Sequence, residues 1–102
     1  MARLIKVAEL GELTPGQGKL VQVDGEDIAL FNVNGTYYAM GAECPHEGGP
    51  LHEGEVDGDS IICPWHGFDF QVKTGECPAD SELRVKTYVV KTAGNEVCIE
   101  VA

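Results

Sequence analysis

Apolar positions in this chain fall into short runs separated by turn signals, and no stretch carries a strong helical pattern. Leu4 to Ala8 reads as a first strand, followed by the loop Leu13-Thr14-Pro15-Gly16-Gln17-Gly18. Lys19 to Val23 is the next strand, and Asp24-Gly25-Glu26 turns the chain into Asp27 to Val33. Asn34-Gly35 is a strong two-residue hairpin signal, and Thr36 to Ala42 returns, rich in aromatic and apolar residues.

Residues 43–80 read differently. Gly54-Glu55-Val56 and Ser60-Ile61-Ile62 are short strands around Asp57-Gly58-Asp59, and Phe68 to Val72 is another, ending at Lys73-Thr74-Gly75. Strands this short bury little by themselves. The region therefore reads as an insertion between strands of a larger sheet system. Glu76 to Glu82 is irregular, and Leu83 to Lys91 with Glu96 to Val101 closes the chain as a hairpin around Ala93-Gly94-Asn95. The fold class expected is all-β, one domain over residues 1–102.

At 102 residues and 43% apolar content the chain suits one modest core. Its formal net charge of −10 argues against nucleic acid and anionic membrane as partners. The longest apolar stretch, Tyr37 to Ala42, is too short to span a bilayer. Met1 to Glu9 has charges within its apolar part and does not read as a signal peptide, so the expected location is cytoplasmic.

The candidate chemistry lies in Cys44-Pro45-His46 and Cys63-Pro64-Trp65-His66, a C-x-H-x16-C-x2-H pattern. Two thiolates and two imidazoles make a metal-ligand set. Structural zinc sites also use Cys₂His₂, but their near pairs are usually C-x₂₋₄-C and H-x₃₋₅-H. Here each near pair is mixed. Residues two apart on an extended backbone face the same side, so Cys44 and His46 can address one object. A two-iron centre suits two mixed pairs, each loop sending its Cys to one iron and its His to the other. A zinc-binding structural module is the weaker reading.

At Cys44-Pro45-His46-Glu47-Gly48-Gly49 and Cys63-Pro64-Trp65-His66-Gly67 the chain resembles the Rieske family, and strand pattern and length agree nearly throughout. The resemblance implies an antiparallel β-sandwich base with a small inserted cluster-binding subdomain at about residues 43–80. It implies one [2Fe–2S] cluster per chain, held by Cys44, His46, Cys63 and His66. Gly48, Gly49 and Gly67 then allow tight loops and close backbone approach to the cluster. Trp65 shields one flank, and Pro78 belongs to a third covering loop. Cys77 and Cys98 are bystanders, and His52 is read as a surface residue.

Within that family the branches separate by residue count. Oxygenases need two further His and a carboxylate for a second iron, and this chain has three His in all. The respiratory and photosynthetic branch carries an N-terminal membrane anchor and an inter-loop disulfide; the matching positions here are Gly49 and Trp65. The chain therefore resembles the separate Rieske ferredoxins. That implies a soluble, monomeric one-electron carrier, not itself an enzyme. Its expected partners are a flavoprotein reductase and a terminal oxygenase, each presenting basic docking patches. The alternative is the small Rieske-fold subunit of a cytoplasmic nitrite reductase. Phe68 and Phe70 stand where the high-potential branch has a Ser and a Tyr hydroxyl, so a low reduction potential is expected.

Overall fold

Two tight turns set the register of the main sheet in this computed structural model, which describes residues 3–44, 48–65, 67–80 and 82–101. Asp24-Gly25 (φ 52° and 81°) and Asn34-Gly35 (φ 53° and 90°) both take the left-handed pair of conformations whose twist matches that of flanking strands. They join β2 (Gly18–Val23) to β3 (Glu26–Val33), and β3 to β4 (Thr36–Gly41). The other strands are β1 (Arg3–Glu9), β5 (Glu55–Asp57), β6 (Ser60–Ile62), β7 (Asp69–Gln71), β8 (Thr87–Ala93) and β9 (Glu96–Val101). A single 3₁₀ turn, Leu51–Glu53, is the one helical element among the described residues.

All pairings are antiparallel, in a six-stranded sheet ordered β1-β9-β8-β4-β3-β2 and a three-stranded sheet ordered β5-β6-β7. Strand β8 changes partner along its length. Thr87 and Tyr88 pair with Met40 and Ala39 of β4, and Val89 onward pairs with β9. The larger sheet folds over at that exchange, and its two halves enclose one core of Val21, Ile28, Leu30, Ala39, Val97 and Ile99. This is the expected sandwich base.

Strand β3 is buried on both faces, which is why Ile28-Ala29-Leu30-Phe31 runs apolar without alternation. Ile28 and Leu30 face the first core. Ala29, Phe31 and Val33, with Met40 of β4, face a second core made with Leu51, Ile61, Phe70, Val72 and Val85. The small sheet thus rests on the outer face of β3 and β4. Its strands are too short to bury a core alone, and the neighbouring sheet supplies the missing wall. Asn32 is the buried polar residue of β3: its amide donates to Leu13 O (2.8 Å) and its Oδ1 accepts from Gly35 N (2.8 Å). Those bonds tie the 11–17 loop to the Asn34-Gly35 turn.

The chain leaves the main sheet after β4 and returns at β8. One boundary differs. The expected strand from Leu83 begins only at Thr87. Residues 83–85 are instead held against the insertion: the backbone of Arg84 forms an isolated antiparallel bridge with that of Glu76, and Val85 N donates to Gly75 O (2.9 Å). Gly75 is obligatory there, with φ +78° and a Cβ that would lie 1.9 Å from Val85 O.

Candidate metal centre

Each candidate cysteine stands where a pair of extended segments ends and a short loop begins. Ala42 to Leu51 forms the first loop, closed by the Glu43–Pro50 bridge and by Leu51 N donating to Ala42 O (2.8 Å). The second loop is the connection between β6 and β7, just beyond the Ile62–Asp69 pair. The two loops share one hydrogen-bond pattern. Cys44 N donates to Gly49 O (2.9 Å), and Gly48 N donates to Cys44 O (2.7 Å). Cys63 N donates to Phe68 O (2.7 Å), and Gly67 N donates to Cys63 O (3.0 Å). In each case a glycine four residues after the cysteine makes the return, Gly48 at φ +75° and Gly67 at φ +74°. A side chain at either would be strained, and one at Gly48 would also lie 2.9 Å from Glu43 Oε1.

The loops face each other. A Cβ placed on Gly49 would lie 3.2 Å from Cys63 Sγ and 3.1 Å from the Trp65 ring. Cys44 and Cys63 are 2% and 1% exposed and share the second core with Phe70 and Cys77. Two buried thiols on matched, facing loops are a donor set suited to a soft metal centre, and apolar walls limit water around it. His46 and His66, the other two expected ligands, lie outside the described residues, as do Pro45 and Glu47. Among the described residues no three His, Cys, Asp or Glu side chains gather to form a metal site, Cys77 included.

Several expectations take shape around these loops. Gly49 and Trp65, the positions matching the inter-loop disulfide of the other branch, are in contact across the gap. Trp65 packs on Gly49 yet remains 56% exposed, so it covers a flank while presenting an aromatic surface. Phe70 is fully buried, and Phe68 is partly buried against the same core. Pro78 lies in an exposed turn, and Cys98 is a buried packing residue of β9.

His52 departs from its expected surface position. Its side chain is 25% exposed, with Nδ1 fully covered and without a hydrogen-bond partner among the described residues. The 3₁₀ turn seats it against β2, which its place in a polar stretch of sequence does not reveal. Beside the first loop runs an open groove of about 710 Å³, walled by Gly48, Gly49, Pro50, His52, Lys86 and Tyr88. Burial, and then hydrogen bonding to Glu26, push the Tyr88 phenol up to about 12, so it stays a donor at ordinary pH.

The family model for the Rieske [2Fe-2S] domain matches residues 3–91. The chain belongs to the Rieske family. It carries the family's [2Fe–2S] centre as cofactor, and its antiparallel all-β architecture is the Rieske fold. It is 34% identical over 99 residues to the ferredoxin component of the naphthalene 1,2-dioxygenase system of Pseudomonas aeruginosa, spanning 96% of this chain and 95% of the relative. It is 36% identical over 70 residues to apoptosis-inducing factor 3 of Mus musculus, spanning 69% of this chain but only 12% of that relative.

Among solved structures, the ferredoxin of carbazole 1,9a-dioxygenase from Nocardioides aromaticivorans IC177 superposes with a TM-score of 0.87 at 29% identity, covering 94% of this chain and 95% of the other. A chain from a complex of reduced oxygenase and oxidised ferredoxin in carbazole 1,9a-dioxygenase gives 0.84 at 33% identity, covering 93% and 99%. A protein assigned as the small subunit of an NADPH nitrite reductase gives 0.87 at 27% identity, covering 98% and 99%. No helix among the described residues is long and apolar enough to cross a membrane.

Proposed function

We propose that this Rieske protein is a one-electron carrier delivering electrons from a flavin-type reductase to a terminal oxygenase. The observation that carries the reading is the pair of matched, facing loops, which bury Cys44 and Cys63 in one core, in a chain that spans nearly the whole of a dioxygenase ferredoxin component. Cys44 and Cys63 hold one iron, and His46 and His66 hold the other. When bound, the cluster accepts and releases a single electron. The residues supply the rest: Gly48 and Gly67 shape the loops, and Trp65 and Phe70 limit water at the thiolates. Residues 43–80 act as the cluster-binding part, and the chain works as a monomer in the cytoplasm.

The complex of oxygenase with ferredoxin among the structural relatives supports a terminal oxygenase as acceptor. The likeness to a nitrite reductase small subunit favours a second reading, in which the acceptor is a large nitrite reductase subunit. Mixing the reduced protein with each acceptor and following reoxidation of the visible spectrum decides between them. Reoxidation by an oxygenase component at a saturable rate supports the first reading. Reoxidation only by a nitrite reductase large subunit overturns it.

A further inference from the structure

The Asn34-Gly35 turn carries chemistry that the metal centre does not use. The chain has three asparagines, and Asn34 is the one followed by glycine; Asn32 precedes Val33 and Asn95 precedes Glu96. A glycine, lacking Cβ, leaves its nitrogen open to approach. Once deprotonated, the Gly35 nitrogen can attack Asn34 Cγ. A new N–C bond closes a five-membered succinimide ring, the Cγ–Nδ2 bond breaks, and the proton lost from Gly35 ends on the departing ammonia. Water then adds to the ring. Opening at Cγ gives aspartate, and opening at the backbone carbonyl gives isoaspartate. Asparagine is a thermolabile residue for this reason. Asn34 and Gly35 are both exposed, so hydroxide and water reach the turn.

The structure holds the attacking nitrogen elsewhere. Gly35 N donates to Asn32 Oδ1 at 2.8 Å. Asn32 is only 5% exposed, and its own Nδ2 donates to Leu13 O at 2.8 Å, which fixes the direction of Oδ1. The turn itself does not require this bond. Asp24-Gly25 takes the same left-handed pair, with φ 52° and 81° against 53° and 90°. There the residue three before the glycine is Gln22, whose amide is turned to Asp27 Oδ1 (2.7 Å). The side-chain bond to the glycine N–H is thus a feature of the Asn-Gly turn and not of the turn type.

From this contrast we infer that Asn34 is a site of spontaneous deamidation and that Asn32 restrains it by holding the Gly35 N–H. Isoaspartate at position 34 would add a backbone carbon between Val33 and Thr36, which pair across the turn. Strands β3 and β4 contribute to both cores, so a register disturbed there reaches both. The inference stands apart from the identity of the electron acceptor.

The test incubates the cluster-loaded protein at mildly alkaline pH and follows the peptide containing Asn34 by mass spectrometry, through the mass rise that replacing NH by O produces. The folded parent should deamidate at least about tenfold more slowly than the same chain in urea, because the reaction needs the turn to open. Asn32→Ala should speed it by about fivefold, the rate equivalent of one lost hydrogen bond. Ile28→Val, which trims the core toward the far end of β3, should change it by less than about twofold. An unchanged visible spectrum confirms that each variant is folded. Amide exchange on the parent needs no variant: Gly35 should exchange at least about tenfold more slowly than Gly25, the matching glycine of the other turn. If Asn32→Ala loses its spectrum, that comparison decides. A parent as fast as the urea-unfolded chain, equal exchange at Gly35 and Gly25, or an Asn32→Ala rate no higher than that of Ile28→Val overturns the inference.

Discussion

Gly49 of the first ligand loop lies against Cys63 of the second, close enough that a Cβ on Gly49 would stand 3.2 Å from the Cys63 sulfur. This contact joins two segments whose separation in sequence says nothing about their approach. It also explains why a glycine occupies the position: the same Cβ would meet the Trp65 ring at 3.1 Å. Gly49→Ala should therefore push the loops apart and cost about 1–3 kcal/mol, as overpacking does. Iron content per chain and the thermal midpoint should both fall, and pairing Gly49→Ala with Trp65→Ala should recover part of the loss. A variant with unchanged iron content and midpoint would show that the loops tolerate the added methyl.

The ligand assignment predicts about two irons and two labile sulfides per chain. Cys44→Ser and Cys63→Ser should abolish the visible spectrum, while Cys77→Ala and Cys98→Ala keep it. Cys77 is the sharper control, because it is buried in the same core as the two candidate ligands. One bound zinc and no visible absorbance in anaerobically purified protein would refute the assignment.

Hydrogen bonds from hydroxyls to cluster sulfurs and thiolates stabilise the added electron and raise the potential. Phe70 is fully buried in the core that holds Cys44 and Cys63, and neither it nor Phe68 offers a hydroxyl. The midpoint at pH 7 should lie near the low end of the Rieske range, on the order of −150 to −100 mV. Phe70→Tyr should move it upward. A redox titration giving a midpoint above roughly +100 mV would place the protein in the high-potential branch.

Charge makes a kinetic prediction. With a net charge of −10, encounter with a basic partner surface is accelerated at low salt. Screening sets in over about 8–10 Å at 0.1–0.15 M ionic strength, so electron transfer at limiting protein should slow as salt rises. Stopped-flow rates that do not vary with salt would exclude electrostatic steering.

Gly75 is the most demanding backbone position. Gly75→Ala combines a left-handed φ of +78° with a clash against Val85 O, a backbone atom that cannot rotate away. The substitution should cost more than about 4 kcal/mol and detach residues 83–85 from the insertion. Chemical denaturation compared with Gly58→Ala, a left-handed glycine with open space around it, separates the clash from the conformational cost.

The chain's local chemistry was legible from its residues alone. Asp24-Gly25 and Asn34-Gly35 specify their turns because few residues accept left-handed φ, and the alternation around them specifies the strands. The paired Cys and His motifs pointed to the family by residue type and spacing. Other features depend on long-range contact. Residues 83–85 look like the start of β8, yet they pair with Gly75, Glu76 and Cys77 of the insertion. His52 reads as a surface residue until the 3₁₀ turn seats it on β2. The partner exchange of β8 at Tyr88 and Val89, the two-sided burial of β3 and the approach of Gly49 to Cys63 likewise arise only when the small sheet docks on the large one. Turn chemistry and ligand type are properties of a few adjacent residues, so the sequence by itself determined them. Which segments share a core is settled by the burial each can gain from the others, and only the tertiary structure decided that.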